Sequence, residues 1–383
     1  MLLTIILTTV FFFLLGHTLL IESYRTWFLK VKPFKPAATL NTAIFFSVII
    51  PARNEELQIE KCLTSVLGQR FPKSQFEVIV ADDYSTDNTA AIVRNKQNEY
   101  TNLRLLQIEK LLGTQQLNSY KKKAIELAIK EAKGTWIVTT DADCIVTDEW
   151  LSNLSNFILE NNSVFVAAPV KFINTGSFVS IFQCLDFMSL QGITAASVNA
   201  GFHTMCNGAN LAYSKEVFYE VGGFKGIDNI ASGDDMLLMH KIYSRFKNRV
   251  HFLFSQQSIV ETMPMESWKE FFNQRIRWAS KADKFDDKRI LYVLIFVYLF
   301  NLFFFILPIT AIWLDNVALY WLGMLVCKTI IDYRFMIPVA RFFEEEKLLW
   351  WFPLMQPFHI TYTVIAGLLG KFGKYSWKGR VVK

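Results

Sequence analysis

Two stretches of this chain are almost free of charge, and they constrain its fold more than anything else in it. Leu291 to Leu314 has no charged side chain, and Leu2 to Ile21 has only His17. About twenty apolar residues in a helix cross a bilayer, so both stretches are expected to span one. The first has no basic leading region and no small-residue cleavage site, so it reads as an anchor and not as a removed signal. Arg25, Lys30, Lys32 and Lys35 follow it. Basic residues collect on the cytoplasmic side, which places that end inside and the N-terminus outside. Composition agrees, with 52% hydrophobic, 15% aromatic and only 19% charged residues, more apolar than a soluble domain. The net charge of +6 gathers beside the apolar segments, which points to a membrane surface. No nucleic-acid-binding motif accompanies it. The cysteines (Cys62, Cys144, Cys184, Cys206 and Cys327) are scattered without a Cys-x-x-Cys pair. They read as reduced thiols of a cytosol-facing domain, with no zinc site.

Five regions follow: a transmembrane helix at 1–22, a linker at 23–44 marked by Pro33 and Pro36, a folded domain at 45–264, an interfacial helix at 265–288, and a membrane region with a basic tail at 289–383. In the domain, short apolar runs alternate with amphipathic stretches. Strands are expected at Phe46–Ile50, Phe76–Val80, Asn102–Ile108, Trp136–Thr140 and Val164–Val170. Helices are expected at Glu55–Leu67, Thr86–Asn98, Ser119–Ala132 and Asp148–Leu159. Continuous apolar strands alternating with helices predict an α/β fold with a mostly parallel sheet covered on both faces.

Polar clusters sit where these strands end, which is where parallel α/β sheets bind ligands. Asp141 and Asp143 follow the fourth strand. In an extended segment, residues two apart point the same way, and two neighbouring carboxylates repel unless a cation or a proton lies between them. Mg²⁺ or Mn²⁺, completed by substrate phosphates, suits such a pair. Arg53, Asn54, Glu55 and Glu56 follow the first strand, and either cap a helix or hold ribose hydroxyls and a base. Asp82, Asp83, Ser85 and Asp87 follow the second. Lys121, Lys122 and Lys123 open a helix, against its dipole, which suggests an anionic partner such as a diphosphate; a solvated lysine run is the alternative. Ser232-Gly233-Asp234-Asp235 offers a carboxylate for general-base work, or an N-cap.

Glu266 to Asp286 mixes Trp268, Phe271, Phe272 and Trp278 with Lys269, Arg275, Arg277, Lys281 and Lys284. Such a basic, aromatic, amphipathic segment lies in a membrane interface, unless it is a surface helix of the domain. Val317 to about Val339 reads as a further span, with Lys328 and Asp332 spaced to pair on one helix face. Leu348 to Gly370, broken by Pro353 and Pro357, either spans or folds back; folding back keeps the basic tail inside.

Ser47 to Glu56, Ala81 to Thr89, Lys121 to Ile129, Thr139 to Cys144, Cys206 to Phe224, Ser232 to Leu238 and Gln274 to Trp278 occur in the order of one known pattern. The chain resembles a membrane-bound, inverting family 2 glycosyltransferase with a GT-A fold, over roughly residues 45 to 280. Trp377 to Arg380 also resembles the tail of some bacterial members. The resemblance implies that Glu55 and Asp83 contact the nucleoside and Lys121 lies near the diphosphate. It implies that Asp143 holds a metal, Mg²⁺ or Mn²⁺, that Asp141 assists with ribose or metal, and that Asn207 to Asn210 line the acceptor side. Asp235 is implied as the base, beside Asp234. Gln274 and Arg277 would approach the diphosphate and Trp278 would line the acceptor pocket. Two departures stand out: Tyr120 replaces a glycine that often precedes the first lysine, and Asp234 replaces a glutamate.

The expected reaction moves a sugar from a nucleotide-sugar, with uridine the expected base, to a lipid or lipid-linked acceptor at the cytoplasmic face of the inner membrane. The alternative is a processive synthase that extends and extrudes a glycan. A membrane protein that only binds nucleotides is the non-enzymatic reading.

Overall fold

A computed structural model of the chain describes residues 2–35, 43–113, 119–230, 233–281, 284, 287–310, 316–372, 375–377 and 380–382. Pro36, Ser232, Asp315 and residues 378–379 of the tail motif lie outside them.

The amino-terminal helix α1 (Leu2–Leu29) runs past the boundary expected at residue 22. Nothing in Glu22 to Leu29 breaks a helix, and Pro33 is the first proline after it. The added turns dock on the domain. Tyr24 and Phe28 are buried, the Tyr24 hydroxyl lies 2.9 Å from His203 Nε2, and Phe28 meets Phe254 edge to face at 5.3 Å.

The domain then follows the expected alternation: β1 (Phe46–Ala52), α2 (Ile59–Leu67), β2 (Phe76–Asp82), α3 (Thr89–Gln97), β3 (Leu103–Gln107), α4 (Ile108–Leu112), α5 (Tyr120–Glu131) and β4 (Trp136–Thr139). Next come β5 (Cys144–Ile145), α6 (Trp150–Asn161), β6 (Phe165–Ala167), β7 (Val170–Phe172), α7 (Phe178–Ala200), β8 (Leu211–Ser214), α8 (Lys215–Glu220), α9 (Met236–Arg245), β9 (Val250–Phe252) and β10 (Val260–Thr262). The main sheet has the order β3-β2-β1-β4-β8-β6-β9. Only β8 pairs antiparallel, with β4 and β6; β1, β2, β3 and β4 pair parallel, as does β6 with β9. β1 and β2 are buried along nearly their whole length, as expected of central strands covered on both faces.

Two expectations change. The strand expected at Val164–Val170 is two strands, because the chain switches sheets at Ala168-Pro169: β7 joins β10 and β5 in a small second sheet. The other change is α7, which the sequence reading left unassigned. It is apolar enough to cross a membrane but 72% buried in the protein, packed on α1 and the helices that follow. A helix buried all round shows no polar stripe to betray it.

The carboxy-terminal part holds α10 (Trp268–Ala279), α11 (Lys288–Thr310), α12 (Val317–Phe343) and α13 (Phe352–Phe372), then a hairpin of β11 (Tyr375–Trp377) and β12 (Arg380–Val382). Helices α1 and α11 are, like α7, long and apolar enough to cross a membrane, but only 17% and 28% buried. Lys328 and Asp332 of α12 do pair, as their spacing suggested, and His17 of α1 joins them at 2.7 Å from Asp332 Oδ1. Gln356 of α13 donates to Asp332 at 3.2 Å. Helix α13 runs beside α10 in the same direction. Phe358 stacks on Trp268 at 5.8 Å, Tyr362 meets Phe271 at 5.2 Å, and Gly370 abuts Ala279 and Ser280. Helix α13 therefore packs along α10 from Phe358 to Gly370.

Gly192 lets α7 approach α12. A methyl there would stand 2.5 Å from Val339 Cγ2 and 3.0 Å from Phe335 Cζ. Alanine for glycine gains about 1 kcal/mol of helix propensity, but overpacking costs about 1–3 kcal/mol. Gly192→Ala should lower the half-inactivation temperature in detergent; a rise would show that α12 can move aside.

Candidate active site

The site is built at the carboxyl edge of β1, β2 and β4. The loops after β1 and β2 are stitched together. Arg53 Nη1 donates to the carbonyl of Asp83 at 2.8 Å and to that of Tyr84 at 3.2 Å. The amides of Asn54, Glu55 and Glu56 donate to Ser85, Thr89 and Asp87 at 3.0, 2.8 and 3.0 Å. Thr86 N–H returns a bond to Asn54 Oδ1 at 2.8 Å. This network ties the loop of Glu55 to the loop of the buried Asp83. Most of the polar groups that suggested helix capping in sequence instead bind the opposite loop.

Asp141 and Asp143 stand where expected, but not on extended backbone. β4 ends at Thr139, and the Cys144 amide donates to the Asp141 carbonyl at 3.2 Å, closing a turn. The premise of two side chains aligned by a strand therefore fails, and the turn sets their directions. Cys62 locates the neighbouring acids. Its Sγ lies 3.5 Å from the Asp141 carbonyl. Burial pushes this thiol's pKa up, and Asp143, Asp141 and Glu55 push it further. Three of the expected site carboxylates thus act electrostatically on one neutral thiol. The Cys144 thiol is held neutral by burial and the same two aspartates, in keeping with a packing role.

Lys121 joins this edge to the next cluster. Its Nζ donates to Asp141 Oδ1 at 2.7 Å and lies 3.5 Å from Asp234 Oδ2. Burial would lower its pKa, but Asp141 and Asp234 raise it above the ordinary lysine value. The neighbouring lysines differ. Lys122 is buried and donates to the carbonyls of Ile227 and Ile230, each at 2.7 Å, which rules out a uniformly solvated run. Tyr120, in place of the usual glycine, sets its ring edge-on to Tyr84 at 6.0 Å, tying α5 to the loop after β2.

Asp235 is the N-cap of α9: its Oδ1 accepts from the Met236 amide at 2.7 Å and its Oδ2 from the Gly208 amide at 3.1 Å. Gly208 lies against both aspartates, where a methyl would stand 3.5 Å from Asp234 Oδ2. Burial would raise the Asp234 pKa, but Lys121 and Lys281 more than offset it and hold the carboxyl below the usual range. Lys281, just past α10, was read in sequence only as one of the basic residues of the amphipathic segment, because it follows the recognisable motif. Burial lowers its pKa; Asp235 and Asp234 oppose that shift, whereas Arg277 adds to it, so Lys281 feels both the aspartate pair and the neighbouring Arg277. Asn210 leaves the expected acceptor wall. It is fully buried, accepts from Trp150 Nε1 at 2.9 Å and donates to the carbonyls of Pro169 and Ser258, both at 2.8 Å, so it braces the fold.

On α10, Gln274, Arg277 and Trp278 occupy the expected helix, whose start is a capping box between Ser267 and Glu270. The buried cation of this helix is Arg275, with Nη2 2.7 Å from Asp186 Oδ2.

Asp141 and Asp143 supply hard oxygen donors, the type Mg²⁺ and Mn²⁺ prefer. Among the described residues, no three His, Cys, Asp or Glu side chains converge to hold a metal. An ion here would take part of its shell from substrate phosphates, as Mg²⁺ usually does, and the pair fits that arrangement.

Residues 47–222 match the glycosyl transferase family 2 domain, and residues 136–366 match the glycosyl transferase family group 2 domain. The chain belongs to the family 2 glycosyltransferases, and its fold is GT-A. It is 36% identical over 129 residues to the poly(ribitol-phosphate) β-N-acetylglucosaminyltransferase TarS of Staphylococcus aureus, covering 34% of this chain and 21% of TarS. It is 30% identical over 196 residues to the glycosyltransferase AglE of Haloferax volcanii, covering 51% of this chain and 60% of AglE. The matches thus span less than two thirds of either relative. The mannosyltransferase PcManGT from Pyrobaculum calidifontis, solved with GDP-Man and Mn²⁺, superposes with a TM-score of 0.66 at 19% identity, over 96% of this chain and 99% of that one.

Asp234 tests the electrostatics. Its pKa is lowered on folding, so its stabilising share is present above the unfolded value of about 3.9 and is lost as pH falls through the lower folded value. Removing Lys121 leaves burial to raise that folded value. With EDTA present, Lys121→Met should unfold at a higher pH than the wild type in an acid titration followed by tryptophan fluorescence. An unchanged midpoint would remove Lys121 as the partner of Asp234.

Proposed function

We propose that this enzyme transfers one sugar from a nucleoside-diphosphate sugar, with uridine the expected base, to a lipid or lipid-linked acceptor at the cytoplasmic face of the cell membrane. The observation that carries the reading is the single ammonium of Lys121 between Asp141, on the donor side, and Asp234, beside the proposed base. It supports a shared cavity in which donor and acceptor groups meet. Glu55 and Asp83 take the nucleoside. Asp143 and Asp141 hold Mg²⁺ or Mn²⁺, which when bound would neutralise charge on the diphosphate. Lys121, Gln274 and Arg277 bind the same diphosphate, and Trp278 lines the acceptor pocket.

The reaction is one displacement at the anomeric carbon. The acceptor oxygen bonds to that carbon as the bond to the diphosphate oxygen breaks, and the acceptor proton passes to Asp235. Attack opposite the leaving group inverts the centre. Two backbone amides orient the Asp235 carboxylate while each oxygen keeps a second lone pair for the acceptor hydroxyl. Asp234, held ionised by two lysines, serves as charge partner, which supports Asp235 as the base. The exposed apolar faces of α1 and α11 support a site held close to a bilayer surface, where a lipid acceptor is presented.

The test uses membranes containing the protein, a panel of radiolabelled UDP- and GDP-sugars, and Mn²⁺ or Mg²⁺ with or without EDTA. Label should enter the organic-soluble fraction from one donor and disappear with EDTA. Asp235→Asn should cut transfer by about a hundredfold or more and leave UDP or GDP affinity within about twofold. Label in large aqueous material would replace this reading with a polymer synthase, and undiminished transfer by the variant would remove Asp235 from the mechanism.

A further inference from the structure

We propose that Arg275 is a positioning residue: anchored by Asp186 and stacked on Trp278, it sets where that indole stands and so shapes the acceptor wall. The inference rests on the acceptor role proposed for Trp278. Three helices meet at the Asp186 carboxylate of α7. Its Oδ2 lies 2.7 Å from Arg275 Nη2 of α10, and its Oδ1 accepts from the Tyr362 hydroxyl of α13 at 2.5 Å. His359, one turn before Tyr362, approaches the same oxygen at 3.8 Å. The guanidinium lies over the Trp278 ring at 4.1 Å and over that of Phe271 at 4.9 Å. Phe187, next to Asp186, reaches the same indole at 6.1 Å.

Stability alone is a poor account of this arrangement. The side chains of Arg275 and Asp186 are 3% and 1% exposed, and a buried ion pair often does no better than apolar residues of the same volume, because both charges lose their water. A planar guanidinium does what an apolar side chain or a lysine cannot: it binds a carboxylate at its edge and an aromatic ring on its face. Phe271, Arg275 and Trp278 lie at i, i+4 and i+7, one stripe of α10, and that stripe faces α7 and α13. Gln274 and Arg277 flank it. The Asp186 carboxylate therefore fixes the rotation of α10 about its axis, and the guanidinium passes that constraint to the indole.

The experiment labels the full chain with 5-fluorotryptophan in detergent and assigns the Trp278 resonance, one of ten, with Trp278→Phe. Arg275→Lys keeps the charge and loses the planar stacking face. It should shift or broaden the Trp278 resonance and leave the others in place. It should also cut transfer of radiolabel to membrane acceptors about tenfold, with UDP affinity within about twofold. Tyr362→Phe, which removes one hydroxyl, should move both readouts the same way by less, and it serves if Arg275→Lys does not fold. An unmoved resonance with normal transfer overturns the proposal. So does a parallel loss of UDP affinity, transfer and thermal stability, the mark of a purely structural pair. If Trp278→Phe itself leaves transfer intact, the acceptor reading of Trp278 fails first and this inference with it; if only the Arg275 and Tyr362 variants are silent, that reading survives.

Discussion

The site depends on one ammonium group between two carboxylates. Asp141 belongs to the turn after β4 and Asp234 to the approach to α9, distant stretches of chain that the fold brings together. Without a cation between them, two ionised carboxylates at this range would repel, and the turn and the helix start would be pushed apart. Lys121 removes that repulsion from the first turn of α5, where its charge is unfavourable to the helix dipole. The dipole costs a few tenths of a kcal/mol to about 1 kcal/mol, which two close partners offset. The same ammonium is the group a diphosphate would approach, so assembly of the site and recognition of an anion rest on one residue.

Polar residues among the membrane-facing helices follow a similar logic. Lys328, His17 and Gln356 are each nearly fully buried and converge on Asp332. Ionisable groups are costly in an apolar bundle unless they satisfy one another. Here they join α1, α12 and α13, so helices from opposite ends of the chain are held in one register. Gln356 and His359 are one turn apart on α13, and His359 faces Asp186. A nearly continuous line of polar contacts therefore links the amino-terminal helix with the helix that carries Arg277 and Trp278.

Much of this was legible in the sequence. The apolar runs of β1, β2 and β4 and the helices between them follow from buried parallel strands, and the acids at their ends mark the sheet edge that binds ligands. The pairing of Lys328 with Asp332 follows from helical spacing. What escaped has physical causes. Helix α7 is buried on all sides and so lacks a stripe. The turn at Asp141 to Cys144 depends on one backbone hydrogen bond that no side chain announces. Asn210 sits in a polar, site-like stretch, yet three buried partners consume it. Arg275 and Arg277 are two residues apart with the same charge, and only the positions of α7 and α13 decide that Arg275 is the buried one.

The central claim is that the protein and a nucleoside diphosphate share one divalent ion. Two aspartates with no third converging ligand among the described residues imply that the ion is held firmly only when phosphate oxygens complete its shell. Electron paramagnetic resonance of Mn²⁺ with the purified protein tests this directly. The account predicts a mostly free Mn²⁺ signal without nucleotide and an immobilised one when UDP or GDP is added, beyond that of Mn²⁺ with nucleotide alone, and lost in Asp143→Asn. Tight Mn²⁺ binding without nucleotide, or an immobilised signal that survives Asp143→Asn, would contradict it.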